Sequence, residues 1–286
     1  MTDSSSYLSL IVVAYNSDFY LNRLLDSIEE NNDLIGLQLV IVDNSDRTVF
    51  YNSFDDYSFR IDYYPMNENV GFGMANNLGV EKSIYSNVCL INLDAYITVP
   101  LSFVTRSILK HPRCLLGGDM YDEFMNRKKA YGRFPDSLDI LFFPSRTYRV
   151  NNISFCKEFA VDWIEASLLA FTKETWVELG GFSQEIFMYG EDLLLCSNAR
   201  KLNISRLIDS TIKYVHTGGY DDSKLGNVLK GFQYYLHDNR GFNFFLLRLA
   251  FNSSIYIKFF IFFILSFFMG SYEVKYKSIT RNFFYK

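Results

Sequence analysis

The sequence predicts an α/β protein whose sheet is parallel at least in its first half. Short, continuous apolar runs at Leu8–Ala14, Gln38–Val42 and Asn87–Asn92 are typical of strands that are buried on both faces of a parallel sheet. The segments between these runs carry apolar residues at helical spacing, which is typical of helices with one buried face. Strands that alternate with helices in this way favour a parallel α/β sheet.

Helical spacing is clearest after the first strand. Four apolar side chains fall at i, i+3, i+4 and i+7 there, namely Leu21, Leu24, Leu25 and Ile28. Gly73–Lys82 is predicted to be a second helix, and Arg60–Tyr64 is a candidate strand. The first part of the chain therefore contains two successive strand and helix units.

The pattern weakens between Pro100 and Ala160 and then returns. In this second half we predict a strand at Cys114–Gly118, loops or short elements at Asp122–Lys129 and Pro135–Val150, a strand at Asp162–Phe171, helices at Thr172–Leu179 and Leu193–Leu202, and an extended segment at Ile204–Val215. The acidic pair Glu191-Asp192 opens the second of these helices, where carboxylates suit the helix N-terminus. The extended segment ends at His216.

Composition excludes several classes of function. The net charge of −4 gives no electrostatic case for nucleic acid as the main partner. The four cysteines are far apart, without a CxxC pair, and are expected to be buried thiols in a reducing compartment rather than zinc ligands. Met1–Tyr7 lacks the basic and apolar regions of a signal peptide, so we expect the bulk of the chain to be cytosolic.

Polar residues follow three of the predicted strands, at Tyr15-Asn16, Asp43-Asn44 and Asn92-Leu93-Asp94. In open α/β sheets ligands bind beyond the carboxyl ends of the strands, so these residues should converge on one cleft. A single aspartate here is commonly a turn or helix-capping residue. Two at equivalent places favour nucleotide binding, with one carboxylate near the base or ribose and another holding a divalent cation.

Three further segments have both a structural and a functional interpretation. Asn69–Gly73 is predicted to be a tight turn that lets the backbone approach a ligand, and it lacks the complete GxGxxG of a dinucleotide site. Glu191-Asp192 either caps a helix or supplies a general base whose pKa is raised by the aromatic stretch Phe187–Tyr189. His216 is a structural residue, or a metal ligand if the fold returns it to the diphosphate.

The order of these motifs resembles that of the GT-A fold glycosyltransferases of family 2, particularly the bacterial rhamnosyltransferase-like branch. The similarity covers about residues 7–220. The matching residues are Val12-Val13-Ala14-Tyr15-Asn16, Val42-Asp43-Asn44-Ser45, Asn69-Val70-Gly71-Phe72-Gly73, Asn76-Asn77, Asn92-Leu93-Asp94, Gly180-Gly181-Phe182, Phe187-Met188-Tyr189-Gly190-Glu191-Asp192 and His216-Thr217-Gly218-Gly219. Leu93 stands where the family usually has proline, and Leu194 where it commonly has another acidic residue.

The resemblance implies a GT-A catalytic domain over residues 1–240 and a set of roles within it. Residues 1–118 would form the Rossmann-like nucleotide-sugar-binding half and residues 119–240 the acceptor half. The implied nucleotide-sugar contacts are Ala14, Tyr15, Asn16, Asp43, Asn44, Asn69, Gly71, Phe72, Asn76, Asn92 and Asp94. Asp94 and His216 would hold Mg²⁺ or Mn²⁺, and Asp192 would be the catalytic base, with Glu191 as the close alternative.

The activity that the resemblance implies is transfer of a sugar with inversion at the anomeric carbon. The expected donor is dTDP-L-rhamnose, with galactofuranose or a hexose as alternatives. The expected acceptor is a polyprenyl-diphosphate-linked glycan of the O-antigen type in lipopolysaccharide biosynthesis. A second hypothesis, from another class, is a non-catalytic nucleotide-sugar-binding or scaffold subunit of a glycan assembly complex.

Residues 241–286 differ from the rest of the chain and are predicted to be a helical, aromatic and basic extension. Ile255–Gly270 is strongly apolar but carries Lys258 and is shorter than a membrane span, unless Leu246–Phe251 extends it. Ser271–Lys286 is basic. We favour a helix lying on an anionic inner leaflet, which would make the protein cytoplasmic and peripheral on the membrane. Packing on the catalytic domain or a partner subunit, and a transmembrane span, are the alternatives.

Overall fold

The computed structural model describes residues 7–16, 18–46, 54, 56–137, 140, 156–218, 225–239 and 242–267, together with residues 273, 275, 277 and 279. The strands are β1 Tyr7–Ala14, β2 Gly36–Asp43, β3 Arg60–Pro65, β4 Asn87–Ile91, β5 Ala95–Ile97, β6 Cys114–Tyr121, β7 Arg127–Lys128, β8 Tyr131–Gly132, β9 Glu158–Ala160, β10 Trp163–Ile164, β11 Leu168–Thr172 and β12 Ser205–His216. The helices are α1 Asp18–Asn31, α2 Phe72–Lys82, α3 Ser102–Lys110, α4 Lys173–Leu179, α5 Glu191–Lys201, α6 Leu225–Asp238 and α7 Phe242–Ser266.

Ten of the described strands form one mixed sheet in the order β3-β2-β1-β4-β11-β6-β12-β5, with β7 paired to β6 and β9 to β12. β3, β2, β1 and β4 are parallel to one another, and β11 is antiparallel to both β4 and β6. This confirms the predicted α/β class with a sheet that is parallel in its first half. The second half is mixed, because β11 and β5 run against their neighbours.

The central strands are mainly apolar because helices cover both faces of the sheet. Successive side chains of a strand point to opposite faces, so each strand contributes to two cores. Leu10 and Val12 of β1 pack in the core that contains Leu24 of α1. Ile11, between them, packs in the second core with Ala75 of α2. This two-sided burial explains why the sequence of β1 does not alternate between apolar and polar residues.

The predicted strand at Asp162–Phe171 is wrong in one respect, because it is two strands. β10 pairs with β8 in a separate two-stranded ribbon, whereas β11 joins the main sheet. Glu165 lies in the break between them, and its N–H donates to the Ala130 carbonyl at 2.7 Å. Cys156 also departs from the prediction that all four cysteines are buried, since it is exposed while the other three are buried.

The C-terminal helices pack on each other through a cluster that we call the C-terminal cluster. Its buried residues are Tyr235, Leu236, Leu247, Phe251, Ile255 and Ile279, and Leu193 of α5 is among the partly buried residues that pack against it. Arg248 of α7 donates from Nε to the Leu236 carbonyl at 3.0 Å, near the end of α6. α6 and α7 are thereby joined to the helix that begins at Glu191.

α7 is longer than the apolar run that predicted it. It has 25 residues and starts at Phe242 rather than Ile255, because the polar residues in its first half face solvent or α6 without interrupting the helix. By length and composition alone, Asn243–Ser266 is sufficient to cross a membrane. Of its most apolar stretch, 22% is buried against the protein. Most of the predicted basic segment Ser271–Lys286 lies outside the described residues.

Candidate functional site

The topology brings the chemically important side chains to one edge of the sheet. β2, β1, β4, β6 and β12 run in the same direction, so their carboxyl ends lie on the same side. β11 runs in the opposite direction and therefore begins there, just after Glu165. Along this edge the order is Asp43, Asn16, Asp94, Glu165 and His216, as the strand order dictates.

Asp43 orders the loop at the end of β2. It is 1% exposed, its Oδ1 accepts from the Ser45 N–H at 2.9 Å, and its Oδ2 accepts from the Tyr63 hydroxyl. The Ser45 hydroxyl in turn accepts from the Asn16 N–H at 2.9 Å. Both oxygens of Asp43 are thus engaged within the protein, whereas the nearby residues Tyr15 and Asn16 are exposed. Its direct contact with a nucleotide stays a prediction.

The turn at Asn69–Gly73 contacts another loop of the protein. Gly71 has φ 90°, and a Cβ there would lie 2.6 Å from the Phe187 carbonyl oxygen, so only glycine fits. That carbonyl accepts from the Phe72 N–H at 2.9 Å. Asn76, a predicted nucleotide contact, is buried and donates to the Phe72 carbonyl at 2.9 Å within its own helix. These contacts tie the turn to the segment that precedes Glu191.

Asn44 connects this turn to the end of β2. Its N–H donates to the Ala14 carbonyl at 2.8 Å, and its side-chain Nδ2 donates to the Gly71 carbonyl at 3.1 Å. Its Oδ1 is buried and has no hydrogen-bond partner among the described residues. A buried amide oxygen without a donor is costly, so this atom is suited to accept a hydrogen bond from a bound molecule.

Asp94 and His216 are 122 residues apart in sequence and meet at the centre of the edge. β5 pairs antiparallel with β12 so that His216 lies opposite Ala95, next to Asp94. His216 Nε2 is 3.1 Å from Asp94 Oδ1 and 3.3 Å from Asn92 Nδ2. The Thr217 N–H and hydroxyl both donate to the Asp94 carbonyl at 2.9 Å. The segment after β12 therefore wraps around Asp94.

Gly218 completes this wrapping because the chain passes directly over the Asp94 carboxylate. A Cβ at this position would overlap Asp94 Oδ2 and would lie 3.1 Å from His216 Nε2. No side chain fits unless the carboxylate moves. The close approach of the chain to Asp94 thus explains why a glycine stands two residues after His216.

Glu165 is a site residue that the sequence analysis missed. Its Oε1 is 3.8 Å from His216 Nδ1, an electrostatic contact on the side of the ring away from Asp94. Burial raises the pKa of Glu165, while His216 lowers it. The available signal was a carboxylate in the interior of the predicted strand Asp162–Phe171, since a charge seldom interrupts a buried strand without a partner.

Glu191 and Asp192 begin α5 after a strained turn. Tyr189 and Gly190 have φ 70° and 98°, and Gly190 packs against the backbone of Gly231 in α6. Glu191 is 6% exposed, and its Oε2 has no hydrogen-bond partner among the described residues, whereas Asp192 is only partly buried. Of the two residues, Asp192 is the more exposed.

The pKa values of both carboxyls are raised. For Asp192 the causes are burial first and then the neighbouring charge of Glu165. For Glu191 they are burial and then the charge of Asp192. Close carboxylates of this kind do not ionise independently, so at least one of them holds a proton above the usual range for a carboxyl group.

The Asp94 and His216 pair fits one divalent cation whose other ligands are not protein atoms. Octahedral Mg²⁺ has bonds of about 2.0–2.1 Å, so neighbouring ligand atoms lie about 3 Å apart, which matches the 3.1 Å between Oδ1 and Nε2. Asn92 Oδ1, next to them in sequence, is buried without a hydrogen-bond partner among the described residues. The described residues contain no cluster of three or more His, Cys, Asp or Glu side chains. Substrate phosphate oxygens would therefore complete the coordination.

Replacing Glu191 by glutamine should remove a pH-dependent loss of stability. A carboxyl whose folded pKa lies above its unfolded pKa supports folding fully below the unfolded value, and that support is lost as the pH rises through the folded value. Each pKa unit of difference corresponds to about 1.4 kcal/mol. We expect the thermal midpoint of Glu191→Gln to exceed that of the parent increasingly from about pH 5 to about pH 9. Equal midpoints throughout that range would contradict the raised pKa.

Residues 9–105 match the model of Glycosyl transferase family 2. This range is about a third of the chain and runs from β1 into α3, so it contains Asp43 and Asp94 but neither Asp192 nor His216. No curated protein sequence matches the chain significantly.

Solved structures extend the likeness over most of the chain. The crystal structure of GalNAc-T7 with UDP, GalNAc and Mn²⁺ is similar with a TM-score of 0.59 and 14% identity, over 75% of this chain and 43% of that one. The crystal structure of S. aureus TarS 1–349 gives 0.55 and 16%, over 87% of this chain and 70% of that one. A second TarS structure gives 0.52 and 16%, over 86% and 43%.

These likenesses confirm the predicted GT-A fold. The chain spans less than half of the length of GalNAc-T7, and the identities are low, so the common feature is the fold. The similarity to the rhamnosyltransferase-like branch stays a prediction, as do the roles of the individual residues.

Proposed function

We propose that this protein is an inverting, metal-dependent glycosyltransferase that uses a nucleotide sugar. The observation that carries the proposal is that the Asp94 and His216 pair and the partly buried Asp192 lie at one edge of the sheet, with Glu165 between them. A single displacement needs two components. One is positive charge beside the leaving diphosphate, which a cation on Asp94 and His216 would supply, and the other is a carboxyl group that accepts a proton. The family match of the first third of the chain supports the same activity.

The reaction follows from the positions of these groups. Asp192 accepts the proton of an acceptor hydroxyl as its oxygen bonds to the anomeric carbon of the donor. The bond from that carbon to the diphosphate oxygen breaks, its electron pair stays on the leaving nucleoside diphosphate, and the configuration inverts. A divalent cation, when held by Asp94 and His216, supplies positive charge beside that diphosphate. Glu165 faces the Nδ1 side of His216 and orients its ring.

Asp192 is a better base than Glu191 on two grounds. It is accessible to a substrate, whereas Glu191 is enclosed. Its raised pKa also matches the requirement that a general base at neutral pH should bind a proton readily. Glu191 and Asp192 are adjacent at the start of α5, so a negative charge on one makes it harder for the other to lose its proton.

The donor and acceptor that we propose rest on the resemblance of the motifs. L-Rhamnose from dTDP-rhamnose is the leading donor, with galactofuranose or a hexose as alternatives, and a lipid-linked O-antigen-type glycan is the acceptor. The GalNAc-T7 structure contains UDP, GalNAc and Mn²⁺, which supports a nucleotide sugar and a divalent cation as ligands of this fold.

The experiment that tests the activity is a screen of the purified full-length chain against a panel of nucleotide sugars, with and without Mn²⁺ or Mg²⁺. Release of nucleoside diphosphate should occur with one donor class and should stop when the metal is chelated. Binding of a nucleotide sugar without turnover under any condition, including added membrane extract as acceptor, would favour the scaffold hypothesis and contradict the enzyme.

We also propose that α7 lies on the membrane surface. One side of α7 is packed in the C-terminal cluster from Leu247 to Ile255, and Phe259 and Phe262 continue that contact. The opposite side exposes large apolar residues without a charge among them, namely Phe245, Leu249, Tyr256, Phe260, Phe263 and Phe267. α6, its packing partner, has only 14 residues and is too short to span a bilayer beside it. A helix whose first half packs on such a partner, while its large apolar side chains remain exposed, suits the interface better than the bilayer interior.

Substitution of the exposed side of α7 should release the protein from vesicles. We expect Phe260→Glu combined with Phe267→Glu to reduce flotation with vesicles of phosphatidylglycerol and phosphatidylcholine by on the order of tenfold. Val177→Glu, which places a carboxylate at another exposed apolar position on α4, is the matched control and should float normally. Undiminished flotation of the double variant would contradict the proposed surface.

A further inference from the structure

A cavity of about 620 Å³ opens beside the Asp94 and His216 pair, on the far side from Asp43. It is lined by Met120, Asp122, Glu123, Phe124, Lys128 and Lys129 on one side and by His216, Thr217 and Gly218 on the other. Its volume lies within the range of ligand-binding clefts, roughly 300–1,000 Å³. We call it the hairpin cavity, because its first wall is the β6–β7 hairpin.

The position of the hairpin cavity along the sheet edge separates it from the nucleotide. The nucleotide contacts that the motifs predict follow β1 and β2, whereas the hairpin cavity lies where β6 and β12 end. β4 and β11 lie between these two regions, with Asp94 after β4. A donor whose base is at β1 and β2 and whose diphosphate is at Asp94 therefore leaves the hairpin cavity to a second molecule.

Within the residues that the structure describes, the charged side chains of the cavity wall are paired, with the exception of Lys129. Lys128 is 2.9 Å from Asp122, Glu123 is 3.1 Å from Arg23, and these pairs satisfy the two carboxylates that line the cavity. Lys129 lies exposed in the same wall, and within the described part of the chain no carboxylate is within 4.0 Å of its ammonium group. The unpaired charge of this wall is therefore positive and suits an anionic ligand such as a phosphate.

Phe124 presents an apolar face at the rim of the same cavity. It is 85% exposed, and the turn that carries it is held by Asp122 Oδ1, which accepts from the Phe124 N–H at 3.0 Å and from the Asn126 N–H at 2.8 Å. These bonds hold the backbone of the turn, which presents the ring to solvent. An exposed aromatic ring beside a cavity can pack against the apolar C–H face of a sugar ring.

We infer that the hairpin cavity binds the acceptor, and that the acceptor is a phosphate-bearing sugar with its ring on Phe124 and its phosphate on Lys129. The inference rests on the proposed glycosyltransferase function and names the second substrate class of the same site. His216 lines the cavity and also forms the pair with Asp94. Glu165 lies on the other side of the His216 ring, towards Asp192. An acceptor in the cavity would thus contact the same histidine that contacts Asp94 and Glu165.

The test measures binding of simple probes to the full-length chain. The probes are the 1-phosphates of N-acetylglucosamine, glucose and galactose, their neutral sugars, and UDP and dTDP with Mn²⁺, with affinities from ligand-observed NMR. We expect Lys129→Ala to weaken sugar phosphate binding about tenfold or more and to leave neutral sugars unchanged. Phe124→Ala should weaken both, and neither variant should change binding of the nucleotides. Lys201→Ala, an exposed lysine in the last turn of α5, is the control for loss of a surface charge.

The outcomes separate this inference from the proposed function. If the parent protein turns over a nucleotide sugar but binds none of the sugar phosphates, the inference is overturned and the function stands. If Lys129→Ala weakens nucleotide binding instead, Lys129 belongs to the donor diphosphate, and the inference is again overturned. If the parent neither binds nucleotides nor releases nucleoside diphosphate, the proposed function itself fails. Both replaced side chains are exposed, so thermal midpoints equal to that of the parent should accompany every measurement.

Discussion

Asp192→Asn is expected to lower kcat by about 10²–10⁴-fold while the affinity for the nucleotide sugar changes little. The amide keeps the size of the side chain and its hydrogen bond from the Leu193 N–H, which is 2.7 Å long in the parent, but it cannot accept a proton from an acceptor hydroxyl. Steady-state transfer kinetics together with equilibrium binding of the donor would separate the two effects.

The pH profile gives a second measure of the same residue. Asp192 must be ionised to act, and burial and Glu165 raise its pKa, so kcat/KM of the parent should rise with pH above the ordinary range of an aspartate. Asp192→Asn should lose this acidic limb. Glu191→Gln is the matched control, because it removes the adjacent carboxyl and should retain most of the activity. A reversal, with Glu191→Gln inactive and Asp192→Asn active, would assign the base to Glu191.

Asp94→Ala is expected to reduce metal-dependent turnover by at least about 10²-fold. The substitution removes the carboxylate from the pair with His216 and leaves a single protein ligand for the cation. Donor hydrolysis across a Mn²⁺ titration would measure the loss, and part of it should be recovered at high metal concentration. Asp26→Ala, on the exposed side of α1, is the control for removal of a carboxylate elsewhere.

Gly218→Ala tests the same proposed metal site without removing Asp94 or His216. The added methyl group would overlap Asp94 Oδ2, so the carboxylate or the chain that crosses it must move and the geometry of the pair with His216 changes. We expect turnover to respond more weakly to added metal, while binding of the free nucleoside is unchanged. Near-normal activity of Asp94→Ala would contradict the metal assignment, whatever the behaviour of Gly218→Ala.

Local patterns were sufficient to predict most of the fold. Apolar runs located β1, β2 and β4 because strands covered on both faces have few polar positions, and helical spacing located α1. The residues at the strand ends were predicted for the same reason, since parallel strands end on one side of the sheet. Motif order added Glu191 and Asp192, whose position at the start of α5 is also a local feature.

Long-range pairing could not be predicted in this way. His216 meets Asp94 only because β5 pairs antiparallel with β12, and nothing in either short segment encodes a partner 122 residues away. Glu165 was missed because a continuous strand was expected across the break between β10 and β11. One of the two internal hydrogen bonds of Asp43 comes from Tyr63 of β3, a residue whose sequence context gives no indication of that contact.

The C-terminal cluster determines how the protein can be handled in the laboratory. Leu193, the residue after Asp192, packs against the cluster formed by α6 and α7, and Gly231 of α6 packs against Gly190. Truncation before residue 225, a common way to obtain a more soluble fragment, would remove these contacts and expose the start of α5. A loss of activity in such a fragment would then be expected from displacement of Asp192 as well as from a missing lipid contact. Detergent or nanodisc preparations of the full chain avoid this ambiguity.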